Sequence, residues 1–305
     1  MTVGRAARDG SDRAISTVVD VSLSLLLISA AVGTLALPVG SPDTEPSRPD
    51  PAATVETLAA GTTSVTYTLD TSRVDSTKTR PDAAGTNRAE RMRVAHGSYA
   101  ELLAEAAVEN ATLEERPLSA ASDGYERAVT TAIQNATLAT GGRTRVSAVW
   151  TPYPGAPTRG VASAGSRPPS AAQVAAATMT VPSRFQSVRK RAVRAAERSG
   201  YAGVARLLAR TTVAGWYPPA ETRLALRGDY PVDALLRQRY RRTATILGTT
   251  VDSPLQAVEP RRANARLAAA LARRYEQNLR ARFDTPTAAA AAIRIDEVKV
   301  VVATW

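Results

Sequence analysis

From Ala14 to Val39 the chain reads AISTVVDVSLSLLLISAAVGTLALPV, with one ionisable residue, Asp20. At about 1.5 Å of rise per residue, about 24 helical residues reach about 36 Å, more than the roughly 30 Å of a hydrocarbon core. A helix satisfies its own backbone hydrogen bonds, which lipid cannot do for it. The run therefore predicts one membrane-spanning helix over 14–39, with Gly40–Trp305 held at a membrane surface. Arg5, Arg8 and Arg13 precede it, whereas Asp43, Glu45 and Asp50 against a single Arg48 follow it. Basic flanks stay in the cytoplasm, so the leader 1–13 is expected inside and the large domain outside. A cleaved signal peptide is the competing reading, with the same basic start and small residues near the end of the run. The apolar core of such a signal is shorter, about 7–15 residues. A buried core helix is a third reading, opposed by the length and the charge asymmetry.

The segment Asp12-Arg13-Ala14-Ile15-Ser16-Thr17-Val18-Val19-Asp20-Val21 resembles the start of archaeal type IV pilins and pilin-like proteins, above all haloarchaeal ones. Those begin with a short charged leader, an Arg-Gly or Arg-Ala pair and the opening of an apolar helix. The resemblance covers only the leader and the helix. It implies a prepilin-type peptidase cutting between Ala14 and Ile15, with the helix retained. It also implies other pilin-like subunits or platform proteins as partners, beside membrane lipid. An ionisable group inside a bilayer costs about 2.5–3.5 kcal/mol, so Asp20 needs a partner or water. In a pilin-like assembly the partner would be a neighbouring subunit's N-terminal amine; otherwise Asp20 reaches water at the cytoplasmic edge.

The remaining chain, about 265 residues, is long enough for a substantial core in one or two domains. Zero cysteines excludes disulfides and thiolate chemistry, so packing alone must hold an exterior domain together. The expected class is α+β, a helix-rich domain with a small sheet that includes the C-terminal strand. Gly40 to residue 54 reads as a linker, 55–152 as an α+β subdomain, 153–180 as a Pro/Gly/Ser-rich loop, and 181–305 as a basic helical subdomain ending in a strand. Strands are predicted at Thr62–Leu69, with Val65, Tyr67 and Leu69 on one face, and at Arg143–Trp150, with Val146, Ala148 and Trp150 inward. Ile293–Trp305 predicts a terminal strand whose valines suggest burial on both faces. Helices are predicted over Glu90–Asn110, with a break at Gly97, and over Gly124–Thr140. Ser183 is positioned to cap another, which Gly200 interrupts before a further helix; Asp229–Gly248 and Pro260–Phe283 give two more.

The formal net charge is +11, almost all from arginine; Lys78, Lys190 and Lys299 are the lysines. Arginines crowd the later helices, and Arg189, Lys190, Arg191 and Arg194 are the candidate anion-binding set. Such faces attach to phosphate by charge. The alternative is a solvated face whose arginines pair with Glu and Asp. No helix-turn-helix, zinc finger or RNA-binding signature accompanies them, so sequence-specific nucleic-acid recognition is not expected. Asn110-Ala111-Thr112 and Asn135-Ala136-Thr137 are glycosylation sequons, with Asn110 and Asn135 as acceptors. Glu101, Glu105 and Glu109 recur at helical spacing, as a solvated face or, less in keeping with the pattern, a cation site. His96 is the single histidine and has no second His or Cys to work with.

No phosphate loop, nucleophile elbow, metal-ligand cluster or acid/base pair is present, so neither an enzyme nor a cofactor, metal or small-molecule substrate is expected. The sequence is read as a non-enzymatic, single-pass membrane protein of the pilin-like or pseudopilin-like kind. The alternative is a stand-alone anchored protein whose Arg-rich helices capture an anionic ligand: a lipid headgroup, extracellular DNA or an acidic partner.

Overall fold

The computed structural model describes residues 50–71, 91–118, 123–138 and 143–305. The apolar run 14–39, with Ala14, Ile15 and Asp20, lies outside them, as do the leader and most of the 40–54 linker.

Helix α1, Pro51–Ala60, starts where the Asp50 carboxylate accepts from the Ala52 amide at 2.9 Å and a proline takes the first helical position. The expected linker therefore ends at this cap and not at residue 54. Strand β1, Thr62–Thr68, pairs antiparallel with β2, Met92–Ser98, in a two-stranded ribbon. This corrects the expected helix from Glu90. Met92, Val94 and His96 alternate with Arg93, Ala95 and Gly97 along an extended chain, and β1 supplies the partner. The helix begins only at α2, Tyr99–Glu109, after a capping box: Ser98 Oγ accepts from the Glu101 amide, and the Glu101 carboxylate accepts from the Ser98 amide at 2.9 Å.

Short strands β3, Thr112–Leu113, and β4, Arg116–Pro117, precede α3, Asp123–Leu138. Then come β5, Thr144–Trp150, β6, Thr158–Ala164, and β7, Ala175–Pro182. The last two correct the reading of 153–180 as loop: its prolines, with Gly155 and Gly165, lie outside the strands, and Gly160 and the alternating Ala, Val, Thr and Met lie in them. Helices α4, Arg189–Trp216, α5, Pro219–Arg227, α6, Val232–Leu247, α7, Asp252–Gln256, α8, Pro260–Arg282, and α9, Pro286–Ala291, lead to β8, Glu297–Thr304. Ser183 does not cap α4; its hydroxyl donates to the Ile295 carbonyl at 2.8 Å, and the helix starts six residues later.

The class is α+β, and the C-terminal strand belongs to the sheet. Six antiparallel strands run in the order β4-β3-β6-β5-β8-β7. The last strand thus sits between β5 and β7, joining the two halves read as separate subdomains. Residues Arg48–Trp305 form one compact unit. One face of the sheet is buried: Val146, Ala148 and Trp150 stand beside Ala162, Val298, Val300 and Val302. Gly160 has no side chain there because the Ala107 carbonyl of α2 occupies the place of a Cβ. On the opposite face Val161 and Lys299 are exposed and Ser147, Val149 and Val301 half-buried, so β8 is not buried on both faces as its valines suggested.

Trp150 anchors the core. It stacks on Phe185 at 4.8 Å, meets Trp216 edge-on at 6.2 Å, and donates its indole N–H to the Ile295 carbonyl at 2.9 Å. The predicted row Leu267, Leu271, Tyr275 and Leu279 is wholly buried on α8, and the Tyr275 hydroxyl meets Thr158 Oγ at 2.8 Å.

Candidate anion-binding groove

Helix α4 is two helical runs joined at a sharp bend. Ser199 has φ −144° and Gly200 has φ 55°, ψ −149°, a backbone region that glycine alone enters at little cost. Before the bend, Arg191, Arg194 and Arg198 recur at i, i+3 and i+7 and share one helix face. After it, Arg206 and Arg210 recur at i, i+4. The bend turns the two faces toward one cleft of about 360 Å³, lined by these five arginines with Ala195, Gly203 and Leu207. A second lobe of about 810 Å³ borders it, sharing Arg191, Leu207 and Arg210, and reaches Arg184, Phe185 and the carboxylates of Glu105 and Glu221.

All five arginines are exposed, and none lies within ion-pair distance of a carboxylate among the described residues. Arg210 Nε donates to the Arg206 carbonyl at 3.2 Å. The other basic helices are mixed: among the described residues Arg242 of α6 and Arg261, Arg266 and Arg273 of α8 also meet no carboxylate, but other arginines there are paired. Arg237 and Arg241 of α6 pair with Asp233 and Asp252, and Arg262 and Arg280 of α8 with Glu259 and Glu276. The reading of a solvated, self-paired arginine face therefore holds at those positions, and its pairing is missing at the five arginines of the cleft. Two unit charges 10 Å apart in water repel by about 0.4 kcal/mol, and physiological salt screens them beyond about 8 Å. An exposed groove carries such a cluster cheaply, and its field attracts anions.

Of the four residues the sequence singled out, Arg191 and Arg194 line the groove and Arg189 and Lys190 do not. Successive helical residues are turned by about 100°, which takes 189 and 190 off the face of 191. Arg189 is also tied back, its Nε donating to the Ile293 carbonyl at 3.0 Å and a terminal nitrogen 3.7 Å from Glu297. Sequence reasoning missed Arg198, Arg206 and Arg210. The spacing Arg191-x₂-Arg194-x₃-Arg198 and Arg206-x₃-Arg210 on either side of Ser199-Gly200 was the available signal.

Glu101 and Glu105 of the glutamate row are exposed, as a solvated face requires, and Glu109 is half-buried. Glu101 closes the capping box, and Glu105 binds Arg184 at 2.9 Å. Glu109 lies between Arg184, at 2.6 Å, and Arg239, at 3.0 Å. Burial pushes the Glu109 carboxyl up, but the guanidiniums of Arg239 and Arg184 together outweigh it and hold it below the ordinary glutamate range. Glu105, Glu109 and Arg239 border a cavity of about 300 Å³ whose other walls include Tyr67, Tyr125, Leu235 and Leu236. Burial and the Glu105 charge raise the Tyr125 phenol, which donates to Glu105 at 2.9 Å.

Asn110 ends α2 half-buried, its side-chain amide donating to the Val161 carbonyl at 3.3 Å. Asn135 is exposed on α3, while the Thr137 of its sequon is buried and bonded to the Ile133 carbonyl at 2.9 Å. His96 is exposed on β2, with Nδ1 3.0 Å from Ser64 Oγ. Among the described residues no three His, Cys, Asp or Glu side chains come together as metal ligands, and no helix is long and apolar enough to cross a membrane.

In class this is an α+β protein with a one-sided antiparallel sheet and an arginine-lined groove along a bent helix. The chain belongs to a family of unknown function, DUF7284, whose profile matches residues 19–305. No curated protein and no solved structure matches it.

Proposed function

We propose that this is a membrane-anchored protein that works by binding, and that the groove along α4 captures an anionic ligand. The carrying observation is the set of five guanidiniums lining one cleft without a carboxylate partner among the described residues. Each guanidinium offers a planar fork that suits phosphate or carboxylate oxygens, and charge-assisted hydrogen bonds of this kind are worth about 1.5–3 kcal/mol each. The full chain, in a zwitterionic detergent, is expected to be held by heparin and released by salt. The triple variant Arg198→Ala/Arg206→Ala/Arg210→Ala elutes at clearly lower salt. Equal elution of the two proteins disposes of the groove.

A second reading is favoured by the Asp12–Val21 segment. On it the chain is a pilin-like or pseudopilin-like subunit of an archaeal type IV pilus or secretion-type apparatus, its helix 14–39 packed with other subunits or platform proteins. The domain after that helix is then extracytoplasmic, and the groove is its attachment point. N-terminal sequencing of the mature protein tests this. Ile15 as the first residue supports it, whereas Met1 or Thr2 on a protein that resists carbonate extraction leaves a plain anchor. Release into carbonate removes the membrane from both readings.

A further inference from the structure

We propose that the groove takes a linear phosphate polymer, laid lengthwise across the bend of α4 and held by its backbone alone. This rests on the anion-binding reading and adds the chemistry and shape of the ligand.

The shape follows from the spread of charge. Arg191 and Arg198 are seven residues apart on one helical run, about 10 Å along its axis. Arg206 and Arg210 add about 6 Å on the run beyond the bend. A single phosphate has too few oxygens, in too small a volume, to receive forks from guanidiniums spread so far. A chain of phosphates presents successive charges along the same path; one strand of a duplex does so about every 3.4 Å, about three to a row of 10 Å. The two lobes adjoin at Arg191, Leu207 and Arg210, so such a chain has a path along them.

The chemistry follows from what the groove lacks. An acidic peptide gains most of its affinity from apolar anchors set in fitted pockets. Leu207 and Ala195 supply the apolar lining of the narrower lobe, and Phe185 beside the wider one is buried against Trp150. No Phe, Tyr or Trp lines the narrower lobe, so bases have no stacking platform there. The wider lobe also carries the carboxylates of Glu105 and Glu221, whereas in the narrower lobe what remains is guanidinium forks for backbone oxygens. Polyphosphate and the backbone of a single-stranded nucleic acid share this chemistry.

The test is equilibrium binding to the full chain in zwitterionic detergent, with four probes: long-chain polyphosphate, oligo-dT, inorganic phosphate and polyglutamate. With five contacts, log K against log salt should slope by about −3.5, a loss of about 100-fold between 50 and 200 mM. Arg198→Ala/Arg206→Ala should flatten the slope by about 1.4. Arg262→Ala, which removes an arginine paired with Glu259, should leave it unchanged. All three side chains are exposed, and an unaltered melting curve verifies the fold. Polyphosphate and oligo-dT binding alike fits the shared chemistry; oligo-dT alone or polyphosphate alone identifies the source. Polyglutamate binding more tightly than either polymer overturns this inference and leaves the anion-binding reading standing. So does inorganic phosphate competing as well as polymer at equal phosphate. Binding of no probe, or equal binding by the double variant, sinks both.

Discussion

Glu109 is a half-buried carboxylate between two guanidiniums. Its carboxylate joins Arg184, which reaches from the loop after β7, to Arg239 of α6, so one side chain ties three elements. Breaking a buried pair by removing one partner costs about 3–5 kcal/mol, because the other charge stays behind. With about a fifth of each side chain of the Glu109–Arg239 pair still exposed, Glu109→Gln is expected to cost about 2–4 kcal/mol. The midpoint of thermal unfolding should fall by about 5–10 °C. The pH dependence has a fixed sign. A carboxyl held below its ordinary value of 4.5 stabilises the fold above that pH, and the contribution is lost as the pH falls through the lower folded value. Wild type and variant should differ most near neutrality and converge on acidification. A difference that persists undiminished at pH 2–3 shows that the charge is not its cause.

At the scale of elements, the groove is made by one bend. An unbroken helix over 189–216 would keep its side chains along one straight axis, and the rows 191–198 and 206–210 would not face one cleft. Gly200 allows the bend through a backbone conformation that costs other residues about 1–3 kcal/mol. Gly200→Ala meets no clash, since the nearest atom to an added Cβ is Pro286 Cγ at 3.9 Å, so its effect isolates the backbone term. It should lower the thermal midpoint by about 2–8 °C and weaken heparin retention, as straighter forms of α4 gain population. Retention equal to wild type separates the groove from the bend. The sequence announced this break through Ser199-Gly200, and periodicity found α6 and α8 close to their true ends. It misplaced β2, because an alternating stretch rich in charge and followed by a strong helix reads as that helix's first turns. The capping box at Ser98 and Glu101 was the local mark that the helix starts later. Strands β6 and β7 were hidden for another reason: GVASA and AAATMTV are too small-sided to announce a strand among prolines and glycines. They are strands because β5 and β8 offer them backbone partners.

At the scale of the molecule, the last strand decides the architecture. Glu297–Thr304 enters between β5 and β7, so the sheet is complete only when the C-terminus has returned past all the α4–α9 helices. What the sequence determined by itself is whatever depends on near neighbours: the apolar length of 14–39, the amphipathic rows of α6 and α8, the alternation of β1, β5 and β8, and a surplus of arginine. These rest on hydrophobic length, periodicity and charge, which are properties of short windows. Only the tertiary structure decided which arginines are neutralised, since Arg184 meets Glu105 and Glu109 from 79 and 75 positions away, and Arg274 meets Glu114 from 160. It also decided that Arg191, Arg194, Arg198, Arg206 and Arg210 are left facing a cleft. Helical pairs such as Arg237–Asp233 and Arg280–Glu276 follow the local i, i+4 spacing, but pairing between distant segments is a matter of distance in space, which no local pattern encodes.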